Sequence, residues 1–263
     1  MIEWLKTVVG ATLGGLAILW IVGGYYHVRY YVLRRAEPET WKIQAKRFLR
    51  PDQLRQATRL SSMNLTIGGV ITGTMIWGLG HGLRMPIYFH VEDHGWLYTV
   101  AITPVLFIVI DGLAYYAHRA LHAPVMFRLF HRWHHRYVAT TPFVVTAMHP
   151  VEFLIFQTVT FVPLFIIPAH YVSVILVFVY VFVFNIVDHS GVRLHSRLPW
   201  QGPSTFHDDH HAHFHCNFGQ HLMLWDRMHG TLRRVGRTYG KDVFGGKGAP
   251  GAAPSAADEF VKY

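Results

Sequence analysis

Eight of the chain's twenty histidines fall into three short runs: His118-Arg-Ala-Leu-His122, His131-Arg-Trp-His134-His135 and His207-Asp-Asp-His210-His211. Imidazole is the commonest side-chain ligand for iron, zinc and copper. Residues three and four apart on a helix share a face, so the first pair can bind one ion or contribute to two adjacent ones, and the second run can grip one ion with further ligands from elsewhere. The spacing therefore reads as a metal centre. His189 follows Asp188 where an apolar stretch ends, which makes it a ninth candidate ligand.

Eight or nine imidazoles exceed what one zinc needs, since structural sites use four ligands and catalytic sites three. Two ions are expected. Neither His-Glu-x-x-His nor Glu-x-x-His occurs, which argues against a zincin protease and against a carboxylate-bridged di-iron bundle. A nitrogen-rich pair of irons suits activation of O2 and attack on an unactivated C–H bond.

The remaining histidines divide. His149 and His195 are weaker candidate ligands, His213, His215 and His221 lie close to the third run and are read as non-ligands, and His27, His81, His90, His94 and His170 lie off the site. Asp111 stands seven residues before His118 on the same helical face. It is the candidate acceptor for a ligand's free N–H, and no catalytic residue beyond the ligands is assigned. Arg128, Arg132 and Arg136 interleave the second run and are expected to meet headgroups of lipid or substrate.

The elements that must hold these residues are apolar. The chain has 263 residues, of which 51% are hydrophobic and only 15% charged, unlike an ordinary soluble domain. The single cysteine, Cys216, excludes an internal disulfide and any cysteine-based metal cage. The formal charge of +9 is not gathered into a patch interleaved with aromatics, which argues against nucleic acid. It lies between apolar spans and suits anionic headgroups.

Residues 7–26 carry no charge and are long enough to cross a bilayer. Without a small-residue cleavage site, this span is expected to stay as an anchor. A basic segment follows, with Arg34, Arg35, Lys42, Lys46, Arg47, Arg50, Arg55 and Arg59. Trp41, Ala45, Phe48 and Leu49 share one helical face there, which suits a short helix in the headgroup region, with a solvated linker as the alternative. A second span covers residues 61–80, rich in Gly and Thr, and a third covers residues 96–117.

Residues 151–187 hold one charge, Glu152. A straight helix of that length would run on the order of 55 Å, against a hydrocarbon core of about 30 Å. Pro163 and Pro168 supply a break, so the spacing predicts a hairpin that leaves and re-enters on one face. With the basic loop on the cytoplasmic side, all three runs and His189 then share the cytoplasmic face.

The runs HRALH, HRWHH and HDDHH occur in order with AMHPVE at 147–152, DHSG at 188–191, NFG at 217–219 and WDRMHGT at 225–231. In this the chain resembles the fatty acid hydroxylase / sterol desaturase superfamily of membrane di-iron enzymes, over roughly residues 96–234. The resemblance implies metal ligation by His118, His122, His131, His134, His135, His207, His210 and His211, with His189 as a further ligand. It implies two iron ions, O2 as co-substrate, a membrane lipid substrate such as a fatty acyl chain or sterol, and an external electron donor of cytochrome b5 or ferredoxin type. Trp225 and Asp226 resemble a structural closing motif. His229 departs from the aromatic expected there.

The expectation is an all-α polytopic membrane protein with about four to five membrane-embedded helices and a cytoplasmic histidine-rich cap. Residues 1–95 would form membrane anchor helices and a basic interfacial segment, 96–234 the catalytic domain, and 235–263 a disordered tail. The activity would be hydroxylation or desaturation of a lipid. The alternative is a membrane metal-binding or metal-transport protein without oxygenase activity. Transporter sites lie near mid-bilayer, whereas these runs lie at span ends. A bis-histidine haem carrier would need one pair per haem, not nine.

Overall fold

The first helix is longer than a bilayer core requires. In the computed structural model, which describes residues 1–233, 237–238 and 249–250, α1 runs from Ile2 to Val32. It loosens into π-type turns at Leu19–Gly23 and His27–Val32. Helix α2, Pro51–Leu79, begins with a proline in its first turn, and the Arg50 N–H donates to the Gln53 side chain at 3.1 Å. The two helices run antiparallel, with Trp4 Nε1 donating to Thr74 Oγ1 at 3.0 Å.

Gly69 and Gly73, four apart on α2, allow that approach. A Cβ at Gly69 would strike Thr12, and one at Gly73 would strike the Val8 backbone. Small residues at this spacing let backbones come together where lipid offers no hydrophobic drive between helices.

A loop carries β1, Ile87–Tyr88. Helix α3, Gly95–Leu121, then returns through the bundle. The segment 124–135 turns below its end. Helix α4, Pro150–Phe161, breaks into a 3-10 turn at Val162–Phe165, and α5, Tyr171–Asp188, runs back. Pro163 stands in that turn. The hairpin tip, β2 at Ala169–His170, pairs parallel with β1. Both hairpin ends lie level with the end of α3, as the charge-poor stretch with its prolines predicted. Two short helices complete the cap: α6, Ser204–His213, and α7, Leu224–His229.

Of these, α1, α3 and α5 are long and apolar enough to cross a membrane, and α4 with its 3-10 extension is a shorter apolar helix. Leu106 and Ile110 of α3 pack with Phe161, Leu164 and Val177 of the hairpin. In lipid, polar bonds add what apolar burial cannot. Ser61 donates to the Phe143 carbonyl at 2.8 Å, and the Asn64 amide donates to the Thr146 and Met148 carbonyls at 2.8 and 2.9 Å. Each such bond contributes on the order of 1 kcal/mol. They fix the loop that leads into α4.

The basic segment differs from the expected interfacial helix. Only Pro38–Trp41 is helical, and Lys42 forms a β-bridge with Val192. The Arg193 N–H donates to the Trp41 carbonyl at 2.7 Å and the Ile43 N–H to the Gly191 carbonyl at 3.0 Å. Such pairing needs extended backbone, so the strand-like contact overrides the helical pattern. Trp41 is buried against Tyr31, ring centroids 4.9 Å apart, and not against lipid.

The tail expected from residue 235 lies outside the described residues, apart from the pairing of Arg237–Thr238 with Ala249–Pro250.

Candidate metal centre

Four elements end at one place. The last turn of α3 supplies His118, and its C-cap residue is His122. The segment 124–135 passes through a π-type turn at Phe127–His131 into a short helix, Arg132–His135. This turns His131, His134 and His135 inward and leaves Arg128, Arg132 and Arg136 exposed. His189 caps α5, and α6 contributes His207, His210 and His211. All nine are at most 4% exposed.

The nine rings sort into two groups. His118, His122, His131, His135 and His210 bring one nitrogen each within 4.8 Å of one another, and so do His134, His189, His207 and His211. In the larger group four Nε2 atoms close a circuit. His122 to His131 is 2.9 Å, His131 to His135 3.0 Å, His135 to His210 3.0 Å and His210 to His122 3.2 Å. An ion with bonds of about 2.1 Å holds neighbouring nitrogens roughly 3 Å apart at right angles. In the smaller group His189 Nε2 lies 3.2 Å from His134 Nε2 and 3.0 Å from His207 Nε2. The groups abut, with the His135 and His211 rings 4.8 Å apart.

The outer nitrogens explain why the inner ones are free to bind. His118 Nδ1 donates to the Phe218 carbonyl at 2.8 Å and His210 Nδ1 to the Cys216 carbonyl at 2.7 Å. His189 Nδ1 donates to the Asn185 carbonyl at 2.8 Å, and His131 Nδ1 to Glu152 Oε1 at 2.7 Å. With Nδ1–H so committed, each Nε2 turns a bare lone pair inward. His211 is fully buried with no partner at either nitrogen. Converging acceptors with no proton of their own suit a cation, and the donor set fits one in each group. Burial pushes the His131 imidazole down to about 3 and lowers His134, His135, His207, His210 and His211 as well. Neutral imidazole is the form a metal needs.

One expected contact behind the rings changes hands. Asp111 touches no ligand ring. It accepts from the His221 and Leu222 backbone N–H groups at 3.0 and 3.3 Å and from Trp225 Nε1 at 2.8 Å. Its helical face was read correctly, but the loop 217–222 comes between. Glu152 takes the role instead, and the sequence signal was its isolation in a long apolar stretch.

The remaining candidates take other places. His149 caps α4, accepting from the Val151 N–H at 3.1 Å. His195 is exposed, and His213 and His215 are half-buried outside both groups. Asp226 accepts from the Phe218 and Gly219 N–H groups at 2.9 and 2.8 Å and from Thr231. It thereby holds the loop whose carbonyls orient His118 and His210, the closing role expected of it. An apolar cavity of about 570 Å³ near the hairpin tip, lined by Met75, Ile76, Phe161 and Phe178, shares no residue with the cage.

Residues 103–231 match the family model described as fatty acid hydroxylase. A Delta(7)-sterol 5(6)-desaturase of Candida glabrata is 34% identical over 151 residues, 56% of this chain and 41% of that protein. Lathosterol oxidase of Mus musculus is 33% identical over 160 residues, 59% of this chain and 53% of that protein. A Delta(7)-sterol 5(6)-desaturase of Gibberella zeae is 26% identical over 224 residues, 83% of this chain and 66% of that protein. The chain thus spans about half the length of the first two relatives. No solved structure matches it.

Proposed function

We propose that the chain, whose residues 103–231 match the fatty acid hydroxylase family model, is a membrane oxygenase of the fatty acid hydroxylase / sterol desaturase superfamily that hydroxylates or desaturates a lipid at an unactivated C–H bond. The observation that carries this reading is the convergence of nine buried imidazoles in groups of five and four. His118, His122, His131, His135 and His210 would hold one iron, and His134, His189, His207 and His211 a second. The relatives named as sterol desaturases and lathosterol oxidase favour a sterol among lipid substrates.

Bound iron would supply activation of O2 to an oxidant able to remove hydrogen from carbon. The chain's own residues do the rest. Glu152 and the Phe218, Cys216 and Asn185 carbonyls hold four rings in one tautomer, so no ring must turn or shed a proton when an ion arrives. Burial of the cage keeps water away from a reactive centre. Apolar α3 and α5 lead a lipid from the bilayer to the histidines at their ends. The basic residues of the segment 34–59 support a cytoplasmic cage, where a soluble electron donor of cytochrome b5 or ferredoxin type can reach it.

Lipid profiling by mass spectrometry of cells with and without the protein tests this reading. The expected change is gain of one oxygen atom or loss of two hydrogens in one lipid class, abolished by His134→Ala. Two bound metal ions without any such change would favour a metal-binding protein.

A further inference from the structure

His221 lies outside both groups yet is buried as deeply as they are, at 1% exposed. Neither of its ring nitrogens has a hydrogen-bond partner. Asp188 Oδ2 stands 3.8 Å from Nδ1, too far to accept a hydrogen bond. The backbone is pinned on both sides: the His221 N–H donates to Asp111 at 3.0 Å, and the His221 carbonyl accepts from the Gly202 N–H at 3.1 Å. The ring is therefore held where it stands, between Phe107 of α3 and Tyr180 of α5, with centroids 5.9 and 5.7 Å away. This is the seam of the two spans beside Asp188, which precedes His189 of the four-histidine group.

A buried polar group without a partner is costly, and a phenylalanine would sit in this aromatic surround without that cost. Membership in the cage does not explain the group, because His221 is not among the nine converging donors. A neutral imidazole offers one donor and one acceptor, the complement of a hydroxyl group. Burial holds this ring neutral, its pKa pushed down to about 3.

We propose that His221 receives a hydroxyl group of the lipid substrate, close to the carbon presented to the four-histidine group. This rests on the oxygenase reading for the position of the reacting carbon. A sterol carries such a hydroxyl near a reacting carbon: its 3-hydroxyl oxygen is joined to carbon 5, the position in the names of the desaturase relatives, through carbons 3 and 4 alone. An unsubstituted acyl chain does not. A site built to hydrogen-bond a substrate hydroxyl rejects the analogue that lacks it far more strongly than an apolar pocket rejects a missing methylene. His221 would then set specificity and not ligate metal.

The test uses the full chain, iron-loaded, in lipid nanodiscs. Equilibrium binding is measured for two matched pairs, lathosterol with its 3-deoxy analogue and octadecanol with octadecane. Wild type should bind the hydroxylated member of the lathosterol pair about tenfold more tightly or better. His221→Phe should erase that preference by weakening the hydroxylated member alone, with metal content unchanged and thermal stability equal or higher. His221→Gln, which keeps a donor and an acceptor, should retain part of it. Equal binding within both pairs by wild type overturns the proposal, as does a preference that survives in His221→Phe. O2-dependent conversion of lathosterol in the same samples separates the two ideas. A His221-dependent preference without conversion leaves the hydroxyl contact standing and removes the oxygenase reading; conversion without the preference does the reverse.

Discussion

Glu152 Oε1 accepts a hydrogen bond from His131 Nδ1 at 2.7 Å, both residues fully buried. Glu152 is the one acidic residue between Asp111 and Asp188. A carboxylate behind an imidazole fixes its tautomer and raises its basicity, and removing such a partner typically weakens metal binding about 10- to 100-fold. Glu152→Ala should show that loss in iron retention against a chelator series. Glu152→Gln keeps an acceptor for the Nδ1–H and should lose less. Equal retention by both variants and wild type would remove Glu152 from the site.

The groups of five and four should respond differently to loss of one donor. His135→Ala leaves four nitrogens in its group, as many as the intact smaller group holds. His207→Ala leaves three. Metal analysis of purified protein should therefore find His207→Ala nearer one ion per chain and His135→Ala nearer two. The opposite order would mean that donor number does not set occupancy.

Acid should act on the metal-free protein through the cage. Burial lowers the folded-state values, to about 3 for His131 and in the same direction for His134, His135, His207, His210 and His211. In the unfolded chain these groups titrate near 6.5. Below that pH the unfolded state binds more protons than the folded state, so stability rises with pH and is lost as pH falls from about 6.5 toward 3. Each such histidine contributes about 1.4 kcal/mol per pH unit within its window. Thermal unfolding of metal-free protein in detergent should show a flat midpoint above about pH 7 and a steep fall below. Iron-loaded protein should hold to lower pH and then release its metal, because protons and iron compete for the same lone pairs.

Gly191 sits at φ +69°, and a Cβ there would come within 2.5 Å of the Tyr31 hydroxyl and 2.6 Å of the Thr140 carbonyl. That hydroxyl donates to the Thr140 and Ser190 carbonyls at 2.9 and 2.7 Å. It thereby ties α1 to the chain just after His189. Gly191→Ala combines left-handed backbone strain with a clash against fixed groups, together about 2 to 4 kcal/mol. The thermal midpoint should drop clearly, while Gly14→Ala, where a Cβ meets nothing within 4 Å, should leave it nearly unchanged.

The cage histidines and the hairpin were legible because they rest on local rules: ligand spacing on a helix, and a length that a bilayer cannot hold without the break at Pro163. Asp111 and Trp41 were misplaced for a shared reason. Helical periodicity says which residues share a face but not what arrives opposite that face. For Asp111 it was the loop 217–222, and for Trp41 the extended chain at 190–193. Glu152 shows the converse. Its isolation was visible, but its partner, twenty-one residues earlier, could be found only once the segment 124–135 and α4 were placed together. The orienting carbonyls of Phe218, Cys216 and Asn185 carry no side-chain signature at all.

The hairpin also sets an order of events during synthesis. His118, His122 and the histidines of the segment 124–135 are made before α4 and α5, whereas His189 and the three of α6 come after. Neither group of donors is complete until both arms of the hairpin have entered the bilayer and the chain has emerged again. Metal capture would thus be a late step that follows completion of the hairpin, and a ribosome-bound chain stalled within α5 would hold neither group complete.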